Sequence, residues 1–174
     1  MKRFHRVILK NLPRLTLYLP RIKRMTLRPM RYTRSQRHEM AMRIVHAVAR
    51  SGKIEVEAFG QENIPLDGGC LICANHQDKF DPLAIWLTHK QPASVVIDDA
   101  ACHRPVIRDF VRIVNAVRLQ KDNLKSMYRM THEITERLRA GERFILFPEG
   151  RYEERYQKFR LLYPALKGVF PKLR

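Results

Sequence analysis

Asn75-His76-Gln77-Asp78-Lys79-Phe80-Asp81 lies between two apolar runs, Cys70-Leu71-Ile72-Cys73-Ala74 before it and Pro82-Leu83-Ala84-Ile85-Trp86-Leu87 after it. That order reads as strand, short turn and helix, with the polar groups gathered at the turn. His76 and Asp81 stand five positions apart across it. There a carboxylate can lean against an imidazole, set its tautomer and leave the second ring nitrogen to take a proton from a bound alcohol. The pair also has a purely structural reading. Asp81 directly before Pro82 is an N-cap followed by proline at the first helical position.

A second run, Arg143-Phe144-Ile145-Leu146-Phe147-Pro148-Glu149-Gly150, ends in the same manner, as a strand that stops at a carboxylate. In open α/β sheets, ligands gather outside the carboxyl ends of the strands. Two strands that bring His76, Asp81 and Glu149 to one edge therefore describe a site. Between them the pattern alternates. A helix over 82–90, apolar nearly all round, should be buried, and a short strand follows over 93–97. A helix over 104–114 carries Val106, Phe110 and Val114 at four-residue steps, and Val117 sits in a brief strand. Asp122 or Asn123 caps a helix that turns Leu124, Met127, Ile134 and Leu138 inward, Gly141 ends it, and Phe144 opens the last strand. The fold class is thus α/β, a mostly parallel central sheet flanked by helices, with a basic amphipathic helical arm at the N-terminus.

Asn-His-x4-Asp followed some seventy residues later by Phe-Pro-Glu-Gly resembles the glycerolipid acyltransferase family, over about residues 53–150. The resemblance implies transfer of a fatty acyl group from a thioester, acyl-CoA or an acyl-carrier protein, to the free hydroxyl of a lysophospholipid. Lysophosphatidic acid (1-acyl-sn-glycerol-3-phosphate) is the expected acceptor, as in phospholipid biosynthesis. It implies His76 and Asp81 as the catalytic pair of an HX4D motif. It further implies Asn75, Phe147, Pro148, Glu149 and Gly150 at the substrate, with Arg118 and Arg151 on its phosphate. No cofactor and no metal are expected. The arginine segment, Asn115-Ala116-Val117-Arg118, lacks the family's glycine, and Arg151-Tyr152 stands where the family has Thr-Arg. Leu166-Lys167-Gly168-Val169-Phe170 is faintly similar to a later family segment. The chain stops at Arg174, so the expected acyltransferase-like unit, 53–174, lacks the family's C-terminal segment. The alternative is an idle or truncated member that acts as a basic membrane- or nucleic-acid-binding module.

Charge points to the partner. The formal net charge of +17 is extreme for 174 residues, and such a balance calls for an anionic partner. Residues 1–50 hold fourteen Lys/Arg against Glu39 alone, a net of +13. Leu9, Leu12, Leu17 and Met25 are among the apolar residues interleaved with them. Such a segment lies on an anionic membrane surface, which places the protein at the periphery of a membrane on its cytoplasmic face. Arg28, Arg31, Arg34 and Arg37 could instead track phosphates of a nucleic acid. No nucleic-acid motif accompanies them, and the interleaved residues are mostly leucine rather than base-stacking aromatics, so nucleic acid is disfavoured. No apolar run approaches the ~20 residues of a spanning helix, and no cleavable signal sequence is evident. Pro13, Pro20 and Pro29 should break this arm into short pieces.

Within the first unit, 1–52, Thr33 and Gln36 have capping-box spacing, and Met40, Ile44, Val45 and Val48 form one apolar face of a helix that Gly52 can close. Residues 54–58 alternate and read as a strand. Cys70 and Cys73 make one C-x-x-C, which with Cys102 and His103 would give a Cys₃His zinc set. Residues three apart on a strand face opposite ways, which favours buried thiols and, with an odd number of cysteines, a reducing compartment. Cys102-His103 as nucleophile and base is weaker, because such partners are seldom sequence neighbours. No Gly-x-Ser-x-Gly elbow is present.

Overall fold

A computed structural model of the chain describes residues 2–76 and 79–149. Its sheet has four parallel strands in the order β1 (Cys70–Cys73), β4 (Arg143–Leu146), β2 (Ala93–Asp98) and β3 (Val117–Leu119). Parallel strands need crossovers, and helices supply them. These are α3 (Asp81–Thr88), the one-turn α4 (Asp99–Cys102), α5 (Pro105–Ile113) and α6 (Leu124–Arg139). The α/β expectation holds, and among the described residues the sheet is wholly parallel.

The period of two along the strands divides the core. Ala93, Val95, Ile145 and Phe147 pack against α3, α5 and two N-terminal helices, α1 (Lys2–Leu27) and α2 (Arg34–Gly52). Phe144, Val117 and Leu119 pack on the other face with Met130, Ile134 and Leu138 of α6. β4 is buried along its whole length, including Arg143. Gly69, just before β1, is a forced choice, because a Cβ there would stand 2.0 Å from the Leu138 carbonyl oxygen. Gly141 ends α6 at φ 81°, in the left-handed region.

Several expectations need correction. The arm is one helix: Pro13 and Pro20 sit inside α1, and only Pro29 starts a separate 3₁₀ turn. Each interior proline costs roughly 3 kcal/mol. Burial of Val7, Ile22 and Met25 against the neighbouring helices offsets that, at roughly 1.5–3 kcal/mol per side chain. α2 starts at the foreseen capping box on Thr33 and Gln36, but it closes at Lys53 in the left-handed conformation, not at Gly52. A Cβ on Gly52 would crowd the Ile54 side chain at 3.0 Å.

Residues 54–58 form no strand. Ile54 N–H instead closes back onto the Ala49 carbonyl, and residues 55–58 are exposed. Alternation without a neighbouring strand has no ladder to join. α3 is half-buried rather than enclosed, with only Trp86 fully inside, because its remaining apolar side chains border a cavity or the surface. Asn123 caps α6 by accepting from Ser126 N–H, and Leu124 points outward, 84% exposed. Cys73 is exposed and Cys70 half-buried, so only Cys102 is the buried thiol expected.

Candidate active site

β1 and β4 are neighbours, so the segments that leave their carboxyl ends run side by side. The ladder reaches one step past β1, where Ala74 N–H donates to the Leu146 carbonyl at 3.1 Å. His76 comes next on that side. Its N–H donates to Glu149 Oε2 at 2.6 Å, and its ring stacks on Phe147 with centroids 4.2 Å apart. His76 Nδ1 lies 2.9 Å from Asp81 Oδ2. Asp81 is the first residue of α3, with Phe80 before it and Pro82 after it. Its side chain turns back to the histidine, so the structural N-cap reading is not what the structure shows.

The chemistry of the pair follows from that geometry. Asp81 places its carboxylate at the N-terminus of α3, where the positive end of the helix dipole favours negative charge. It accepts from Nδ1–H and thereby makes Nε2 the basic ring nitrogen. Both side chains are partly buried, 17% and 26% exposed, which weakens screening of the pair without cutting it off from solvent.

His76 borders a cavity of about 830 Å³ that runs between the sheet and the N-terminal helices. Its walls are apolar: Leu12 and Ile22 of α1, Val48 of α2, Leu83 and Trp86 of α3, Phe110 of α5. Charged groups stand among the lining as well, including Lys79, Lys121 and Asp98. Lys121 Nζ pairs with Asp98 Oδ2 at 2.8 Å, and Lys121, with the Ala100 N–H, holds the Asp98 carboxyl low against its burial.

The sequence-predicted residues divide clearly. His76, Asp81, Phe147, Pro148 and Glu149 come together at one rim, and Asn75 is exposed beside His76. Arg118 does not join them. It points outward from the edge strand β3, its Nη1 4.0 Å from Asp99, and it is not part of the cavity lining. Gly150, Arg151 and the 166–170 segment lie outside the described residues.

Sequence reasoning missed Lys121, Lys79 and the wall supplied by α1. The rule that ligands gather past strand ends would have favoured Lys121, which follows β3, over Arg118 within it. Asn115 takes φ 52°, so an asparagine fills the left-handed position. Among the described residues no group of histidines, cysteines and acids could hold a metal ion. Cys102 is no nucleophile of His103. Its Sγ donates to the Asp98 carbonyl, burial pushes its thiol up, and His103 Nε2 faces Asp99.

Residues 53–171, more than half of the chain, match the family model described as Acyltransferase. The chain belongs to the glycerolipid acyltransferase family. No curated protein and no solved structure matches it. The acyltransferase match spans both motif segments, so the rim that unites His76, Asp81 and Glu149 lies within the matched domain. Among the described residues no helix is long and apolar enough to cross a membrane.

Proposed function

We propose that this acyltransferase moves a fatty acyl group from an acyl thioester to the free hydroxyl of a lysophosphatidic acid, giving phosphatidic acid. One observation carries the reading: a carboxylate-supported histidine at the mouth of a long apolar cavity. A volume of about 830 Å³ falls within the ~300–1,000 Å³ of ordinary ligand pockets, and its apolar lining suits hydrocarbon.

In the reaction, His76 Nε2 takes the proton of the acceptor hydroxyl as its oxygen attacks the thioester carbonyl. Asp81 holds the ring and stabilises the imidazolium that forms. The tetrahedral intermediate collapses, the C–S bond breaks, and the departing thiolate takes the proton from the imidazolium. A thioester is already activated, so this sequence calls for no cofactor and no covalent enzyme intermediate. Acyl-CoA and an acyl-carrier protein both fit it as donors. Lys79 and Lys121, the cavity-lining lysines nearest in chain position to the two motif turns, are assigned to the acceptor phosphate in preference to Arg118.

The N-terminal helices hold the site at an anionic membrane surface, on the cytoplasmic face. Leu9, Leu17 and Leu27 of α1 and Met30 just after it are exposed, among exposed Lys10, Arg21, Lys23 and Arg24. Each basic residue near such a surface contributes about 1 kcal/mol.

The test is thiol release from acyl-CoA in the presence of a panel of lysolipids, wild type beside His76→Ala. Wild-type turnover should require lysophosphatidate. His76→Ala should lose the ~10²–10⁴-fold that base catalysis contributes while it unfolds at the same urea concentration. Liposome binding without turnover, or equal rates in the two proteins, would overturn the proposal.

A further inference from the structure

We infer that Glu149 is a positioning residue for His76, acting through the histidine's main chain, rather than a contact of the acceptor. The inference rests on the acyl-transfer reading for its kinetic arm only.

In a parallel ladder the N–H groups of alternate residues bond to alternate carbonyls across the strand pair. Ala74 N–H takes the Leu146 carbonyl, so the next bond in register would run from His76 N–H to the carbonyl of Pro148. It is not made. Beyond Phe147 the chain is led away by proline, and the Glu149 carboxylate occupies the acceptor's place at 2.6 Å. A charged acceptor makes a shorter and stronger bond than a carbonyl, which suits the last rung of a ladder at a rim open to solvent. The same segment supplies Phe147 as the plate on which the ring stacks, and Asp81 supplies the third constraint through Nδ1. Main chain, ring face and ring nitrogen are thus each held by a different residue. Two of the three come from a segment more than seventy positions away.

This bond uses Glu149 as an acceptor of a backbone hydrogen, which an amide oxygen can replace. A role in charge stabilisation would not survive that replacement, and a role in binding the acceptor's hydroxyls would show as a raised KM in Glu149→Ala. A misplacement of about 1 Å at a reacting group can cost ~10²-fold in rate. Glu149→Ala should therefore lower kcat by ~10²-fold with KM for lysophosphatidate unchanged, and Glu149→Gln should keep kcat within about threefold, with the same pH profile.

A second readout needs no substrate. Long-range ¹H–¹⁵N NMR of the His76 ring should show the Nδ1–H tautomer in the wild type and in Glu149→Gln, and a mixture of tautomers in Glu149→Ala. Urea unfolding of each variant checks that the fold is kept. Equal losses in Glu149→Gln and Glu149→Ala, a raised KM with kcat intact, or an unchanged His76 tautomer in Glu149→Ala would overturn the inference. Absence of turnover in the wild type would instead sink the acyl-transfer proposal and leave the tautomer measurement to decide this one.

Discussion

Two histidines stand on either side of α3, and they have opposite surroundings. His76, at the carboxyl edge of the sheet, has a carboxylate at 2.9 Å, an aromatic plate beneath it and a cavity beside it. His89, which caps the other end of α3, is only 5% exposed, and among the described residues neither of its ring nitrogens has a hydrogen-bond partner. A charged neighbour is Arg143, at the start of β4, itself 4% exposed and with no partner for Nη1 among the described residues. Burial first, and then that guanidinium, hold the His89 imidazolium below its ordinary range. A histidine kept neutral among cations fills space. One that faces a carboxylate at a solvent-reachable rim can move a proton. The sheet thus has a carboxyl edge that holds the candidate site and a structural amino edge, and substitutions at the two should part kinetics from stability.

Asp81→Asn tests the carboxyl edge most severely after loss of the histidine itself. An amide can donate to Nδ1 and so favour the wrong tautomer. Activity should fall by ~10² or more, within the range such bases contribute, at little cost to the urea midpoint. Retention of more than half the activity would break the assignment of Asp81.

Arg137→Met tests the structural edge. Its guanidinium bonds Glu142 at 2.8 Å, Glu133 at 2.9 Å and the Asn115 carbonyl at 2.9 Å, and it stands over the Phe144 ring. The side chain is 15% exposed, so its removal should cost about 2 kcal/mol, as expected for bonds to charged groups and for a partner left behind. Turnover per folded molecule should not change. A large fall in kcat at full stability would mean that the two edges are coupled.

The smallest effect concerns pH. Burial, followed by His89 and Arg34, also lowers the His38 titration. Near the usual histidine pKa of about 6.5, the unfolded chain therefore binds protons that the folded chain refuses. Stability is complete above that value and declines as pH falls below it. His89→Leu should flatten this decline in the urea midpoint measured from about pH 7.5 to 5.5 and leave turnover unchanged. An equally steep decline in the variant would remove His89 from the account.

Much of this is legible in the sequence. Period-two and period-3.6 patterns placed the four strands and the longer helices after residue 69, because those patterns record which side of each element meets the core, whereas the single turn of α4 is too short to show a period. The capping box at Thr33 was legible because its bonds span only three residues. The errors have one origin. The segment at 54–58 alternates but has no neighbour, α1 passes through two prolines because α2 and α5 cover it, and Leu124 lies outward because α6 begins beyond the sheet. None of these is a local property.

The site divides along the same line. Sequence alone determined which residues could do the chemistry, an imidazole and a carboxylate on one turn and a second carboxylate after another apolar run, since residue type and strand-end position are enough for that. Tertiary structure decided what each of them touches: Glu149 on the His76 amide, Phe147 under the ring, Lys121 rather than Arg118 at the cavity, and α1 as its wall. Strand order in a parallel sheet is set by how crossovers pack, so the neighbour of a given strand end is written nowhere in the residues beside it.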